Sequence, residues 1–163
     1  MIAFCFLLYD RVQHSKRWEE FFSELKVMGI QFKIYTHPKK ITKYTQKWVA
    51  DNKIPHTIPT GWGEYSLLEA CLLMYKEALK TKKNEYIVLC SGADIPLHRA
   101  SYFIKHVLKD KKSHLDIRYN NEIEAWASSQ WMYLSRSGAK DLTRLLNPRD
   151  KVAKRFLDFW IPE

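Results

Sequence analysis

The chain is 163 residues long, and 46% of it is hydrophobic and 14% aromatic, with only five glycines and six prolines. Such a composition is typical of one packed globular domain and excludes a disordered or fibrous chain. Lysine and arginine outnumber aspartate and glutamate by 27 to 18, which gives a formal net charge of +9 and favours phosphorylated or otherwise anionic ligands. The three cysteines, Cys5, Cys71 and Cys90, follow no disulfide or zinc spacing, so we expect buried free thiols in a reducing compartment.

Strand and helix patterns alternate along the first part of the chain. Residues 2–8 form a continuous apolar run, too short for a membrane span, which predicts a strand covered on both faces. Apolar residues spaced by three and four predict a helix over 16–28, with Ser15 as its N-cap and Gly29 as its stop. Alternating hydrophobicity predicts a strand over 30–36, followed by a short helix over 43–52 and an extended connector over 54–60.

The same alternation continues to the end of the sequence. Helices are predicted over 65–79, 99–109, 135–146 and 152–160, and strands over 85–90 and 130–135. This order predicts one α/β domain over residues 1–163, with a mostly parallel central sheet flanked by helices. Ligands in such sheets bind beyond the carboxyl ends of the strands, where we expect Asp10, His37 and Asp94 to lie.

Several catalytic signatures are absent from the sequence. There is no GxGxxG, GxxxxGK[ST], GxSxG or HExxH, and there is no Asp-x-Asp. Glu122 and Glu124 could share a divalent cation, but a solvated acidic loop is the favoured interpretation. No metal site is therefore expected.

Polar residues at two predicted strand ends have two interpretations each. Asp94, in CSGADIPL, either lines a crevice at the rim of the sheet or caps the next helix or turn. His37, in KIYTHPKK, either holds the base or ribose of a ligand or merely ends a strand. Its neighbours Lys39 and Lys40 could attract a diphosphate, or they belong to a solvated turn.

Four segments in a fixed order carry a resemblance to a known family. They are IPTGWGEYSLLEACLLMYKEAL, EYIVLCSGADIPL, SSQWMYLSRSGAKDL and FWIPE. Together they resemble the core-2/I-branching enzyme and peptide O-xylosyltransferase family, glycosyltransferase family 14. The first strand and the IYTHPKK segment also resemble the start of that family, where a hydrophobic strand and a His-Val-Asp-Lys-like element hold the nucleotide.

The resemblance implies a GT-A-like (Rossmann-like) fold and a specific reaction. Relatives transfer a sugar, typically N-acetylglucosamine or xylose, from a UDP-sugar to a glycan or protein hydroxyl, with inversion and without a metal or other cofactor. The catalytic base in the family is the Glu of a Pro-Asp-Glu motif, and Glu163 in WIPE is its best match. The intervening Asp is missing here and Glu163 is the last residue of the sequence, so a tail without a catalytic role is the alternative for Glu163. In relatives the segment after this motif supplies basic residues for the diphosphate; either the sequence is a truncated form, or Lys39, Lys40 or another basic residue takes their place.

The resemblance also implies a set of binding residues. Those expected to hold the nucleotide-sugar are Leu8, His37, Lys39, Trp62 and Asp94, and those expected near the acceptor or donor sugar are Ser129, Gln130 and Trp131. His37 stands where relatives usually carry an Asp. Trp62 is expected to face the crevice beside Asp94, where its ring could stack on a sugar, and core packing is the alternative for both Trp62 and Trp131.

Two rival functions remain open at this level. One is a catalytically inactive sugar-nucleotide or glycan-binding module of the same fold. The other is a nucleic-acid-binding domain, suggested only by charge and aromatic content; no nucleic-acid-binding signature is present, so nucleic acid is not an expected partner. We expect a UDP-sugar donor and a glycan or glycoprotein acceptor as partners. The chain is expected to be soluble as given, in a cytoplasmic, bacterial or viral setting, or a Golgi or membrane protein if an anchor was removed.

Overall fold

A computed structural model of the chain describes residues 1–109, 112–115, 117–121, 125–128 and 132–145. It confirms a mixed α/β domain in which strands and helices alternate. In chain order the elements are β1 (Ile2–Leu8), α1 (Ser15–Val27), β2 (Phe32–Pro38), α2 (Lys47–Asp51), α3 (Tyr65–Lys80), β3 (Tyr86–Ser91), α4 (Ala100–Val107), β4 (Ile117–Asn120), β5 (Ala125–Ser128), β6 (Tyr133–Ser135) and α5 (Arg136–Leu145).

The central sheet has the strand order β2-β1-β3-β6. Strand β1 pairs in parallel with both neighbours, so that Ile2 lies opposite Phe32 on one side and opposite Tyr86 on the other. Strand β6 pairs antiparallel with β3. The predicted mostly parallel sheet is therefore confirmed, and its antiparallel edge strand is a form common in open α/β sheets.

Strand β1 lies at the centre of the sheet, and all seven of its residues are buried. Its side chains alternate between two apolar clusters, one against α3 and α5 and the other against α1 and α4. The first cluster receives Ala3, Cys5 and Leu7, and the second receives Ile2, Phe4, Phe6 and Leu8. Burial on both faces is the reason that the sequence of this strand shows no alternation.

The ends of α1 show one confirmed and one wrong prediction. Gly29 has a φ of 70°, its N–H donates to the Lys26 carbonyl, and the Ile30 N–H donates to the Leu25 carbonyl. This pair of bonds is the Schellman motif that ends a helix at a glycine, as predicted. Ser15 is not the N-cap; His14 is, and the Ser15 hydroxyl instead donates to Glu19 at 2.7 Å.

The other predicted elements are present wherever the structure describes them, with shifted ends. The predicted helix over 152–160 lies outside the described residues. An antiparallel hairpin of β4 and β5 was not predicted, because its four-residue strands alternate too briefly to give a pattern. Cys5, Cys71 and Cys90 are buried free thiols, as predicted, and burial raises the pKa of Cys71 to about 12. No helix in the described part of the chain is long and apolar enough to cross a membrane.

The start of α5 is tied to the far end of α3 by one side chain. The Arg136 guanidinium donates to the carbonyl of Leu79 at 2.7 Å, to that of Asn84 at 3.0 Å and to that of Thr81 at 3.1 Å. These carbonyls belong to the last turn of α3 and the loop that follows it, where no helical N–H is available to them. Arg136 of the third family-like segment therefore has a structural role.

Candidate functional site

The strand order places a switch point at the carboxyl ends of β1 and β3. The chain leaves β1 through α1 on one face to reach β2, and leaves β2 through α3 on the other face to reach β3. The two crossovers thus diverge beside β1, and open α/β sheets bind ligands in the crevice at such a point. The segments that border it are residues 9–13 after β1 and residues 92–94 after β3.

The loops after β1 and β3 touch through Gly92. The Gln13 N–H donates to the Gly92 carbonyl at 2.7 Å, and a Cβ added to Gly92 would lie only 2.7 Å from the Arg11 carbonyl oxygen. A side chain at position 92 would therefore collide with main chain. This close approach is the physical reason for the glycine in the Ser-Gly turn.

Asp94 shapes the turn that follows β3. Its Oδ2 accepts from the Ser91 N–H and its Oδ1 from the Ser91 hydroxyl, both at 2.7 Å, and its carbonyl accepts from Trp18 Nε1 at 2.9 Å. These bonds confirm the turn-capping alternative, whereas capping of the next helix is wrong, because the first N–H of α4, that of Ala100, donates to Glu24 at 2.8 Å. The side chain of Asp94 forms the turn and remains half-buried at the rim.

The loop after β1 is also fixed from the β2 side. The Gln46 amide accepts from the Val12 N–H at 3.1 Å and donates to the Val12 carbonyl at 2.7 Å, while Thr42 Oγ1 donates to the Asp10 carboxylate at 3.2 Å. The Lys39 N–H donates to the Leu8 carbonyl at 2.9 Å. The Leu8 side chain is only 4% exposed and belongs to the core, which corrects its expected contact with a nucleotide.

His37 lies at the carboxyl end of β2, as predicted, but its ring is fully buried. Its Nε2 accepts from the Ile58 N–H at 3.1 Å, and its Nδ1 has no partner among the described residues. The structure thus corrects the expected role of the ring as a ligand contact: His37 holds the 54–60 connector against the strand end. Burial lowers the pKa of His37, and the nearby charges of Lys53 and His56 lower it further.

The lowered pKa predicts that the chain loses stability in mild acid through His37. Above the ordinary histidine pKa of about 6.5 the ring is neutral in both states, so it adds no pH dependence there. Below that pH the His37 ring binds a proton in the unfolded chain but stays neutral in the folded chain, until the pH falls below the lowered pKa of the folded state. The free energy of unfolding should therefore fall by up to about 1.4 kcal/mol per pH unit through this window.

Urea unfolding at a series of pH values checks this expectation. His37→Gln keeps an acceptor for Ile58 and should flatten the profile just below pH ~6.5, whereas His98→Gln, at an exposed position of the segment before α4, should leave the profile unchanged. Equal slopes in the unaltered chain and in His37→Gln would show that the ring is not the group responsible.

Trp62 lies on the loop before α3 and is 97% exposed. The core-packing alternative is therefore wrong, and the indole is open to solvent rather than packed beside Asp94. Gly63 has a φ of 77°, and the carboxylate of Glu64, the N-cap residue of α3, accepts from Ser66 Oγ at 3.1 Å. The two glycines and the Glu64–Ser66 contact shape a tight entry to the helix that presents the ring outwards.

Several predicted residues lie outside the described part of the chain. They are Glu122, Glu124, Ser129, Gln130, Trp131 and Glu163. The roles expected for them stay predictions. Among the described residues, no group of three or more His, Cys, Asp or Glu side chains is placed to hold a metal ion.

A cluster that the sequence did not reveal lies beside the crevice. Lys40 Nζ lies 4.4 Å and Lys39 Nζ 6.0 Å from the centre of the Tyr9 ring. Lys43 Nζ and Arg11 Cζ lie 5.1 Å and 5.5 Å from the centre of the Tyr44 ring. We call this set the cation–tyrosine patch; it consists of Tyr9, Arg11, Lys39, Lys40, Lys43 and Tyr44. In the sequence only Lys39 and Lys40 stand side by side. Arg11 and Lys43 are far apart along the chain, and the fold brings them to the same Tyr44 ring.

These features define an open, doubly wound α/β domain whose ligand crevice lies at the carboxyl edge of the sheet. Residues 2–126 match the family model described as Core-2/I-Branching enzyme, and the chain belongs to that family. The matched range contains β1, β2, β3 and all of the described rim residues from Tyr9 to Asp94.

Two further similarities complete the comparison. The chain is similar to "Glycosyltransferase BC10" of Oryza sativa subsp. japonica, with 27% identity over 158 residues that cover 85% of this chain and 39% of that protein. It therefore spans about two fifths of the length of this relative. Among solved structures, the crystal structure of A197 from STIV matches with a TM-score of 0.39 and 7% identity, over 86% of this chain and 68% of that one.

Proposed function

We propose that this chain is a glycosyltransferase that uses a UDP-sugar. The observation that carries the proposal is the family match over residues 2–126, which contains the whole switch-point rim. The similarity to a rice protein named as a glycosyltransferase supports the same reaction class. The proposed donor sugar is N-acetylglucosamine or xylose, and the proposed acceptor is a glycan or protein hydroxyl.

The proposed transfer inverts the anomeric carbon and needs neither a metal nor another cofactor. The acceptor oxygen attacks the anomeric carbon from the face opposite the diphosphate, and the bond between that carbon and the diphosphate oxygen breaks. A base takes the proton of the acceptor hydroxyl, and UDP leaves with the electron pair of the broken bond. Positive groups beside the diphosphate would stabilise the charge that develops on it.

Residues of this chain supply these functions in the proposal. Glu163 is the proposed base, and Ser129, Gln130 and Trp131 are proposed to lie near the transferred or accepting sugar. Asp94 shapes the turn at the rim through its bonds to Ser91, and the exposed ring of Trp62 is free to stack on the donor.

Calorimetric titration and a transfer assay test the proposal together. UDP, UDP-N-acetylglucosamine and UDP-xylose are titrated into the chain, and sugar release and transfer are then measured. Glu163→Gln should keep donor binding and lower turnover by about a hundredfold or more, the usual loss for a general base. Binding without turnover, unchanged by Glu163→Gln, would favour the inactive sugar-nucleotide-binding module.

A second variant tests the donor site at Trp62. Trp62→Ala should weaken UDP-sugar binding by roughly threefold to tenfold through the loss of ring contacts. Because the side chain is 97% exposed, the free energy of unfolding should change by less than about 0.5 kcal/mol. The control is Val27→Ala, at an 89% exposed apolar residue at the end of α1, which should change neither quantity. Equal donor affinities in Trp62→Ala and Val27→Ala would show that Trp62 does not contact the donor.

A further inference from the structure

We propose that His37 is a positioning residue for the donor: through its bond to Ile58 it holds the 54–60 connector, and with the connector the loop that presents Trp62. The role of Trp62 as a donor contact rests on the proposed function, whereas the tether rests on the contacts of the connector. His37 does not itself touch the donor, because its ring is fully buried.

The connector begins at a firm anchor on the edge of β2. The Thr36 N–H donates to the Asn52 carbonyl and the Ile54 N–H donates to the Thr36 carbonyl, both at 2.9 Å, which makes a parallel bridge between Thr36 and Lys53. The Ile54 side chain is only 4% exposed and belongs to the apolar cluster against α3. The first residue of the connector is therefore fixed by both main chain and side chain.

The middle of the connector depends on His37. Pro55 and Pro59 have no N–H to donate. Between them, the Ile58 N–H donates to His37 Nε2 at 3.1 Å. Among the described residues, this is the one hydrogen bond that residues 55–60 make. The ring thus fixes the midpoint of a segment whose main chain has few other partners.

A short stretch joins this tether to Trp62, and the Trp62 loop is held from two sides. On the side of α3, the Gly61 N–H donates to Ser66 Oγ at 2.9 Å. On the other side the loop continues into the connector and its bond from Ile58 to His37. Loss of that bond leaves the loop tied by hydrogen bonds to α3 alone. The glycines on both sides of Trp62 then permit the loop to move.

The buried ring accepts from Ile58 only while it is neutral. Both nitrogens of a charged imidazole are donors, so a protonated ring has no acceptor for this N–H. Burial lowers the pKa of the ring, and the charged or titratable groups that act on it, Lys53 and His56, lower it further. Below pH ~6.5 protonation therefore favours an open connector by up to about tenfold per pH unit, until the pH falls below the lowered pKa of the closed state.

Calorimetric titration with UDP-N-acetylglucosamine at neutral pH tests the positioning role. His37→Leu removes the acceptor and should weaken donor binding by about threefold to tenfold, no more than Trp62→Ala does. His37→Gln keeps an acceptor for Ile58 and should restore the affinity. The matched control is Thr36→Val, at a buried residue of the same strand whose hydroxyl donates to the Val49 carbonyl at 2.7 Å. It should lower stability without weakening the donor.

Combining His37→Leu with Trp62→Ala shows whether the ring acts through Trp62. A positioning residue adds nothing once the contact that it positions is gone. The double variant should therefore bind UDP-N-acetylglucosamine as weakly as Trp62→Ala alone, a coupling that two independent sites would not show.

Hydrogen exchange measured by NMR gives a second readout, which needs no donor. The N–H groups of Ile58 and Gly61 should lose protection together in His37→Leu at neutral pH. In the unaltered chain they should lose protection together as the pH falls below ~6.5, whereas in His37→Gln both should stay protected over the same range. The unaltered chain thus decides the matter even where His37→Leu does not fold.

The outcomes separate this inference from the proposed function. Equal donor affinity in His37→Leu and the unaltered chain overturns the inference, and so does an equal loss in Thr36→Val or a double variant in which the two losses add. Each of these leaves the glycosyltransferase proposal standing. Gly61 protection that does not follow that of Ile58 also overturns it. Linked loss of protection at both positions, in a chain that binds no UDP-sugar, supports the positioning of the loop and counts against the proposed function.

Discussion

Arg136→Met is expected to lower the free energy of unfolding by about 3–5 kcal/mol, the largest effect of any substitution proposed for this chain. The guanidinium donates to the carbonyls of Leu79, Thr81 and Asn84 over 2.7–3.1 Å. A hydrogen bond from a charged donor contributes roughly 1.5–3 kcal/mol, and three such bonds on one group are not additive. Methionine has similar length but no donor, so the carbonyls of Leu79 and Asn84 would lose this partner and α3 would lose its link to α5; the Thr81 carbonyl would keep the Asn84 N–H at 3.0 Å.

Urea unfolding followed by circular dichroism measures this loss. Arg144→Met is the matched control, because Arg144 lies on the same helix and its side chain is 77% exposed, with only a 3.6 Å ion pair to Asp141. That variant should change stability by less than about 1 kcal/mol. Arg136→Lys should fall between the two, since one ammonium cannot reach all three carbonyls as a guanidinium fork does. Equal stability of Arg136→Met and Arg144→Met would show that the three bonds do not stabilise the fold.

Local patterns predict the secondary structure of this chain well where a helix or strand buries a regular face. Strand β1 is predicted from its continuous apolar run, which reflects burial of both of its faces. The end of α1 is predicted from Gly29, because glycine permits the left-handed conformation found there. The hairpin of β4 and β5 has four-residue strands, too short to give a periodic signal. The antiparallel direction of β6 depends on its pairing with β3, so the residues of β6 alone do not predict it.

Long-range contacts explain why the site could be predicted only in part. The predicted strand bounds correctly place His37 and Asp94 at strand ends. They do not reveal that the N–H of Ile58, 21 residues further on, donates to the His37 ring. The role of Arg136 is not predictable from the residues around it, because its three acceptors lie 52–57 residues earlier. Arg11 belongs to the cation–tyrosine patch only through the packing of two loops.

Gly92→Ala is expected to cost about 1–3 kcal/mol of stability and to weaken UDP binding in the proposed site. The φ of Gly92 is not in the left-handed region, so alanine is compatible with the local backbone. The cost comes from the added methyl group, which would lie 2.7 Å from the Arg11 carbonyl oxygen. Main chain cannot yield as a flexible side chain can, so the loop after β1 must shift, together with Asp10 and the charge of Arg11.

Gly61→Ala is the stability control for this substitution, because the atoms nearest to a Cβ there belong to the end of the Glu64 side chain, which can rotate away. It should cost less than about 0.5 kcal/mol, the usual range for a tolerated surface change. Urea unfolding gives the stability of both variants, and titration with UDP compares the affinity of Gly92→Ala with that of the unaltered chain. If Gly92→Ala matches Gly61→Ala in stability and the unaltered chain in UDP affinity, the close approach of the two loops neither stabilises the domain nor positions Arg11. If Gly92→Ala loses stability but binds UDP normally, the loop contact is structural and the donor lies elsewhere on the rim. A loss of both places the ligand where the two loops meet, since the same displacement that relieves the clash moves a cation of the patch.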